Sequence, residues 1–197
     1  MSYESLYSLE KSVVFRETFN NSYSVARNGG NISATGTLFQ NGIIKFNAYL
    51  SNITYKGVLR KTASYRIRFR VNSLNGGGFS SIVSLSGPLI SSSPGQGLFL
   101  QTFTTNIYMT STLNSLYLNG KFLTSVGNTN FPVTIGSWNE VVILNVNGYV
   151  IGNPIIGYGN NWTSKNLDVE LFEIYNRALS ASEIALLYKQ QLYSIPI

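Results

Sequence analysis

Tyr65-Arg66-Ile67-Arg68-Phe69-Arg70-Val71 decides the class of fold. Side chains on a β-strand point alternately to opposite faces. Four apolar groups (Tyr65, Ile67, Phe69 and Val71) therefore share one face, and three arginines share the other. A helix would scatter both sets around its axis. The stretch reads as a strand with a core on one side and an outer face on the other.

The same rhythm continues in both directions. Strands are expected at Val13–Phe19, Ile32–Phe39, Gly42–Leu50, Ala63–Asn72, Phe79–Ser86, Gly97–Thr104, Ile107–Thr110, Ser115–Leu118, Glu140–Val146 and Leu167–Tyr175. Asn28-Gly29, Asn41-Gly42, Asn119-Gly120 and Asn147-Gly148 mark turns, because Asn-Gly supplies the positive φ values that tight hairpins need. Asn75-Gly76-Gly77-Gly78 and Gly157-Tyr158-Gly159-Asn160-Asn161 read as loops. One helix is expected, Ala181–Gln191. Ser180 and Glu183 have the spacing of a capping box, Leu179 and Ile184 that of a hydrophobic staple. Ile184, Leu187 and Tyr188 make its apolar stripe.

Composition narrows the chemistry. The 197 residues include no His and no Cys, which excludes a Ser-His-Asp triad, a thiolate nucleophile and zinc-thiolate or His-ligated metal centres. Asp168 and seven Glu are the only carboxylates, too few for a multi-carboxylate metal centre. The longest aliphatic run, Val141–Leu144, falls far short of the roughly 20 residues of a membrane helix. The N-terminal MSYESLYSLEKSVVF has no basic start and no apolar h-region, so export by the general secretory route is not expected. Net charge is +6, and Lys56, Arg60, Lys61, Arg66, Arg68 and Arg70 are concentrated in one segment. A local field of one sign points to an anionic partner.

Glu173-Ile174-Tyr175-Asn176-Arg177-Ala178-Leu179-Ser180-Ala181-Ser182-Glu183-Ile184-Ala185-Leu186-Leu187-Tyr188 resembles the closing strand and helix of laminin-G-like, concanavalin A-like jelly-roll domains. Gly136-Ser137-Trp138-Asn139-Glu140-Val141-Val142 is similar to the family's Trp-initiated strand, and Leu116-Tyr117-Leu118-Asn119-Gly120-Lys121 to its Asn-Gly hairpin. The resemblance implies an all-β, two-sheet antiparallel jelly-roll sandwich with one short C-terminal helix. The organisation expected is an N-terminal arm (1–12), a jelly roll (13–193) that includes the helix 181–191, and a tail (194–197). The order of hairpin before Trp strand resembles variants found in phage and large-virus structural proteins.

Glycosidases of this fold carry a Glu-x-Asp-x-Glu strand. Here the segment is Asn166-Leu167-Asp168-Val169-Glu170, with an amide where the nucleophile stands, so no catalytic residue is assigned and the chain is expected not to be an enzyme. No cofactor is assigned. The one ion the resemblance allows is a structural calcium at the sheet rim, with Asp168, Asn160 and Asn161 as donors. Trp138 is expected in the core. Trp162 follows a Gly/Asn loop, where an aromatic ring stacks on a sugar while amides bond its hydroxyls; Tyr158, Asn160, Asn161 and Trp162 are the candidate glycan contacts. Arg66, Arg68 and Arg70 are the candidate grip on an anionic partner, since Arg offers a planar fork. Nucleic acid is disfavoured, because no binding motif accompanies the stripe.

Together these features lead to a non-enzymatic structural or decoration protein of a virion, of phage type, placed on the virion surface and partnered by other subunits. The alternative is a carbohydrate-binding adhesion module on a tail fibre, or on a cell surface reached by a non-classical route. Leu6, Leu9 and Val13 have the spacing of a short helical stripe, but the arm's apolar groups, Tyr3, Leu6, Tyr7 and Leu9, balance poorly against the cost of ordering it. The arm is therefore expected to lie on a neighbouring subunit.

Overall fold

A computed structural model describes residues 3–19, 32–46, 51–55, 59–61, 64–76, 79–84, 97–101, 106–109, 115–124, 129–144, 150–152, 155–157 and 163–193. In chain order the elements are α1 (Tyr3–Ser12), β1 (Val13–Glu17), β2 (Ile32–Thr35), β3 (Thr37–Gln40), β4 (Ile43–Phe46), β5 (Asn52–Tyr55), β6 (Leu59–Lys61), β7 (Ser64–Gly76), β8 (Phe79–Ser84), β9 (Gly97–Gln101), β10 (Asn106–Met109), β11 (Ser115–Leu118), β12 (Lys121–Thr124), β13 (Thr129–Pro132), β14 (Trp138–Leu144), β15 (Val150–Gly152), β16 (Ile155–Ile156), β17 (Thr163–Tyr175) and α2 (Ala181–Tyr193).

The strands form two antiparallel sheets and a small β6–β15 pair. The first sheet runs β12-β11-β14-β7-β17-β4-β3, and the second β13-β10-β9-β8-β16-β5-β2. Two 13-residue strands, β7 and β17, form the spine of the first sheet. One edge of β17 pairs with β7; the other is shared, β4 taking Leu167–Val169 and β1 taking Phe172–Tyr175. The expected alternation holds on β7. Tyr65, Ile67, Phe69 and Val71 are fully buried, in a core with Ile53, Tyr55, Ile82, Val83 and Ile156 of the second sheet. Phe15 stands edge-on to Tyr55 and Phe172, with ring centroids 5.1 and 5.7 Å away.

The Asn-Gly turns at 41–42 and 119–120 close the β3–β4 and β11–β12 hairpins, with positive φ at both residues of each turn. Asn28-Gly29 and Asn147-Gly148 lie outside the described residues. One expected strand, Ile32–Phe39, is two. β2 ends at Thr35 in the second sheet and β3 begins at Thr37 in the first. Gly36 between them has φ of +59°, a corner that residues with a Cβ rarely turn. A run of apolar and small residues gave no sign of a change of sheet.

The capping box forms as expected. The Ser180 N–H donates to Glu183 Oε2 at 2.8 Å, and the Glu183 N–H donates to Ser180 Oγ at 3.3 Å. Leu179, Ile184 and Leu187 are buried on the outer face of the first sheet, against Val142 and Tyr175. α2 runs two residues further than expected, to Tyr193; residues 194–197 lie outside the described residues.

The N-terminal segment departs from expectation. It is a helix, α1, and its Leu9 is buried with Val13, Tyr175, Leu179, Ile184 and Leu187. The surface thought to come from a neighbouring subunit is supplied by the chain's own α2 and sheet. The cost of ordering is met by joining an existing apolar cluster, and the Asn176 N–H donates to the Ser12 carbonyl at 2.9 Å.

Candidate functional site

The arginine stripe of β7 points away from the sandwich core, yet it is not open to an outside partner. β7 is a central strand, and its neighbours β14 and β17 place carboxylates on the same outer face. Arg66 is buried and donates from Nη2 to Glu140 Oε2 at 2.6 Å and from Nη1 to Glu173 Oε2 at 3.0 Å. Arg68, also buried, pairs with Glu170 at 3.2 Å, and half-buried Arg70 with Asp168 at 2.5 Å. The reading of Arg66, Arg68 and Arg70 as a grip on an anionic partner is thereby corrected: their charges are answered inside the chain. Trp138, expected in the core, lies on this outer face directly across from Arg70. Both the Arg68 and Arg70 guanidiniums stack on its ring, at 5.2 and 4.9 Å.

Glu173 is the hub of this layer. It accepts from Arg66, from Arg16 Nε at 2.6 Å and from the Tyr175 hydroxyl at 2.5 Å. Burial works against the Arg66 charge, but Glu140 and Glu173 outweigh it and hold its pKa above the usual guanidinium value. Burial likewise opposes the Arg16 charge, and Glu10 and Glu173 outweigh it. Burial raises the Tyr175 hydroxyl, as does nearby Glu173. Sequence reading did not find this hub. Its signal was the opposite charge of Glu140, Asp168, Glu170 and Glu173 on strands that turn out to flank the stripe.

Every carboxylate whose side chain is described is hydrogen-bonded, and each except Glu17 meets a guanidinium. Glu10 is bidentate to Arg16 at 2.7 and 2.8 Å. Glu183 accepts from Arg177 at 2.6 and 2.9 Å, and this contact, opposed by partial burial, brings its pKa down to about 2. Glu17 is buried at the end of β1, accepts from the Phe19 N–H at 3.0 Å, and burial pushes its carboxyl up. In the segment compared with glycosidases, Asn166 bonds the Asn72 amide at 3.2 Å, Asp168 is taken by Arg70 and Glu170 by Arg68. A β-bulge between Val169 and Leu171 also breaks the regular alternation there. A calcium ion does not fit Asp168, which is buried and held by a guanidinium. Among the described residues no group of three acidic side chains is placed to hold a metal.

Tyr158, Asn160, Asn161 and Trp162 lie outside the described residues, but the ends of their loop are placed. The chain leaves β16 through Gly157, whose N–H donates to the Ile82 carbonyl at 3.1 Å, and rejoins at Thr163, the first residue of β17. Gly157 has φ of +77°, and a Cβ there would fall 2.3 Å from the Phe46 ring. Thr163 pairs with Gly76, the last residue of β7. The end of one Gly/Asn loop singled out in the sequence and the start of the other therefore adjoin paired strand ends, at one rim of the sandwich.

No family model and no curated protein sequence matches the chain. Solved structures do. The Trypanosoma rangeli sialidase in complex with sialic acid matches with a TM-score of 0.62 and 16% identity, over 92% of this chain and 33% of that one. The binding domain of botulinum neurotoxin serotype D matches at 0.61 and 12%, over 92% and 52%. The receptor binding domain of botulinum neurotoxin type G matches at 0.57 and 15%, over 91% and 51%. The chain thus spans a third to a half of the length of these proteins. At such identities the likeness establishes a β-sandwich fold and no more. It spans an enzyme and toxin binding domains alike, so fold alone leaves the activity open.

Proposed function

We propose that the chain is a non-enzymatic β-sandwich binding domain of laminin-G-like type, and that it recognises a glycan or glycosylated receptor. The contact is the rim where the segment carrying Tyr158, Asn160, Asn161 and Trp162 rejoins β17 beside the end of β7, whose last residues Asn75 and Gly76 are in strand where a loop was expected. The observation that carries this reading is the Thr163–Gly76 pairing, which brings the end of that segment beside the point where the chain leaves β7. Trp162 supplies a stacking face, and the amides of Asn160 and Asn161 supply paired donors and acceptors for hydroxyls. Similarity to a sialidase bound to sialic acid agrees with a sugar ligand, and similarity to a toxin receptor binding domain with a receptor. The absence of catalysis is supported by the carboxylates themselves: Asp168, Glu170, Glu140 and Glu173 are each tied to a guanidinium, and none is placed as a solvent-facing acid and base pair.

A glycan array probed with the wild type and with Trp162→Ala tests the proposal. Retention of a defined glycan class by the wild type, lost in the variant at an unchanged melting temperature, supports it. No retention, or equal retention by both proteins, overturns it. Turnover of a bound oligosaccharide that disappears in Asp168→Asn overturns the non-enzymatic part.

A place on a virion surface, among other virion subunits, belongs to the same proposal. Its support is the hairpin-before-Trp-strand order, which resembles phage and large-virus structural proteins. Antibody labelling of intact particles from the source organism tests it: label on the exterior supports the placement, and bare particles refute it.

A further inference from the structure

Arg66, Arg68 and Arg70 are neutralised by the chain's own carboxylates, but they are only part of the basic segment. Arg60 and Lys61 lie on β6, which pairs with β15 in a two-stranded ribbon outside both sheets. The ribbon stands at the end of the sandwich opposite the rim. Lys61 is three residues before Ser64, where β7 begins, and β7 then runs to Gly76, roughly 40 Å away at about 3.3 Å per residue.

The chain has almost no carboxylate left to meet this charge. No Asp or Glu occurs from 18 to 139 or from 141 to 167. Glu10, Glu140, Asp168, Glu170, Glu173 and Glu183 meet arginines elsewhere in the fold, and Glu17 is buried at the end of β1. Of the eight acidic residues that leaves only Glu4.

The backbone shows what kind of partner fits. Among the described residues no strand lies on the other edge of β6, and such an edge is a template for an added strand. Successive strand residues take opposite faces, so Arg60 shares one face with Ile151 and Lys61 shares the other with Val150. A flat anionic surface would meet one of those faces. An extended chain laid along β6 places side chains on both. A second copy of β6 would bring like charge to like, which is how basic residues keep edges from self-pairing.

We propose that this edge of β6 takes an acidic, extended segment of a partner protein as a third strand of the ribbon. Main-chain hydrogen bonds along β6 hold it, and carboxylates on both of its faces meet Arg60 and Lys61. The site is independent of the rim, and its failure leaves the glycan reading untouched.

The probe is a blocked peptide, Thr-Val-Glu-Glu-Val-Thr, titrated into ¹⁵N-labelled full chain. It should shift the amides of residues 59–61 saturably and slow hydrogen exchange along β6. A peptide with both Glu replaced by Gln, and one with the charges kept but alternate amides N-methylated, should each bind at least about tenfold more weakly. Arg60→Gln and Lys61→Gln should each weaken binding about threefold, and roughly tenfold together. Lys121→Gln on the β11–β12 hairpin lowers the net charge equally and should change binding by less than about twofold. If the ribbon variants do not fold, the three-peptide comparison on the wild type decides. No saturable shift at 59–61, equal binding of the neutral or the N-methylated peptide, or an equal loss in Lys121→Gln would each overturn the proposal. So would phosphatidylserine vesicles that bind through Arg60 and Lys61 while the peptide does not, which would assign the ribbon to a membrane surface.

Discussion

Replacing Glu173 by Ala should be among the most damaging single changes to the chain. The carboxylate is 2% exposed and accepts from Arg66, Arg16 and the Tyr175 hydroxyl at 3.0, 2.6 and 2.5 Å. Removing one partner of a buried pair costs about 3–5 kcal/mol, because the other charge stays buried. Arg66 keeps Glu140, which argues for the lower half of that range. The Tyr175 hydroxyl loses its acceptor in a site too buried for easy rehydration, which restores about 1–3 kcal/mol. We expect about 4 kcal/mol in denaturant unfolding. At about 2–4 °C per kcal/mol for a chain of this size, the melting temperature should fall by roughly 8–16 °C. The control is Glu170→Gln on the same face, whose side chain is 31% exposed and whose bond to Arg68 is 3.2 Å long; it should cost under about 1 kcal/mol. If Glu173→Ala and Glu170→Gln destabilise equally, the hub argument is wrong.

Glu183 should titrate near 2 by carboxyl NMR, and Arg177→Ala should return it toward 4.5. Since the folded pKa is the lower one, its contribution to stability is complete above 4.5 and fades as pH falls toward 2, so the helix cap should weaken in that window. Glu17 has the opposite sign. Burial raises its carboxyl, so the stability linked to its protonated form is present at low pH and lost as pH rises through the folded pKa. Glu17→Gln should therefore melt no lower than wild type at neutral pH and lose that part of the pH dependence. Gly157→Ala should cost about 2–4 kcal/mol, combining overpacking against Phe46 with a positive φ; calorimetry showing no change would remove the stated reason for glycine at the loop's start.

Local regularities were legible in the sequence, and distant pairings were not. β7 declared itself because alternation over seven residues has one reading, and its core face is the buried one. α2 declared itself through Ser180 and Glu183, three positions apart. The arginines of β7 also alternate as read, but what covers them comes from Glu140 and Glu173, 74 and 107 residues from Arg66. No local signal says that two later strands will flank β7 with opposite charge. Trp138 was misplaced for the same reason: its alternation with Glu140 puts it outside, and only the register with Arg68 and Arg70 shows why an aromatic ring is useful there. The Glu173-Ile174-Tyr175-Asn176-Arg177-Ala178-Leu179-Ser180 block turns out to be structural in each described polar role. Glu173 ties strands and helix together, Arg177 holds the capping Glu183, and the Arg177 carbonyl accepts from Ser64 Oγ at 2.6 Å. The weakest expectation concerned the arm, where summing isolated side chains missed the apolar cluster that α2 had already assembled.

The central claim is that glycan recognition belongs to the glycine-loop rim, while the Arg66, Arg68 and Arg70 stripe serves the fold. Amide chemical-shift mapping with the strongest glycan from the array tests it directly. The account predicts saturable shifts confined to residues 75–78 and 157–163, with Arg66, Arg68, Arg70 and their partners unmoved. Shifts centred on Arg70, Trp138 and Asp168, with the rim silent, would contradict it.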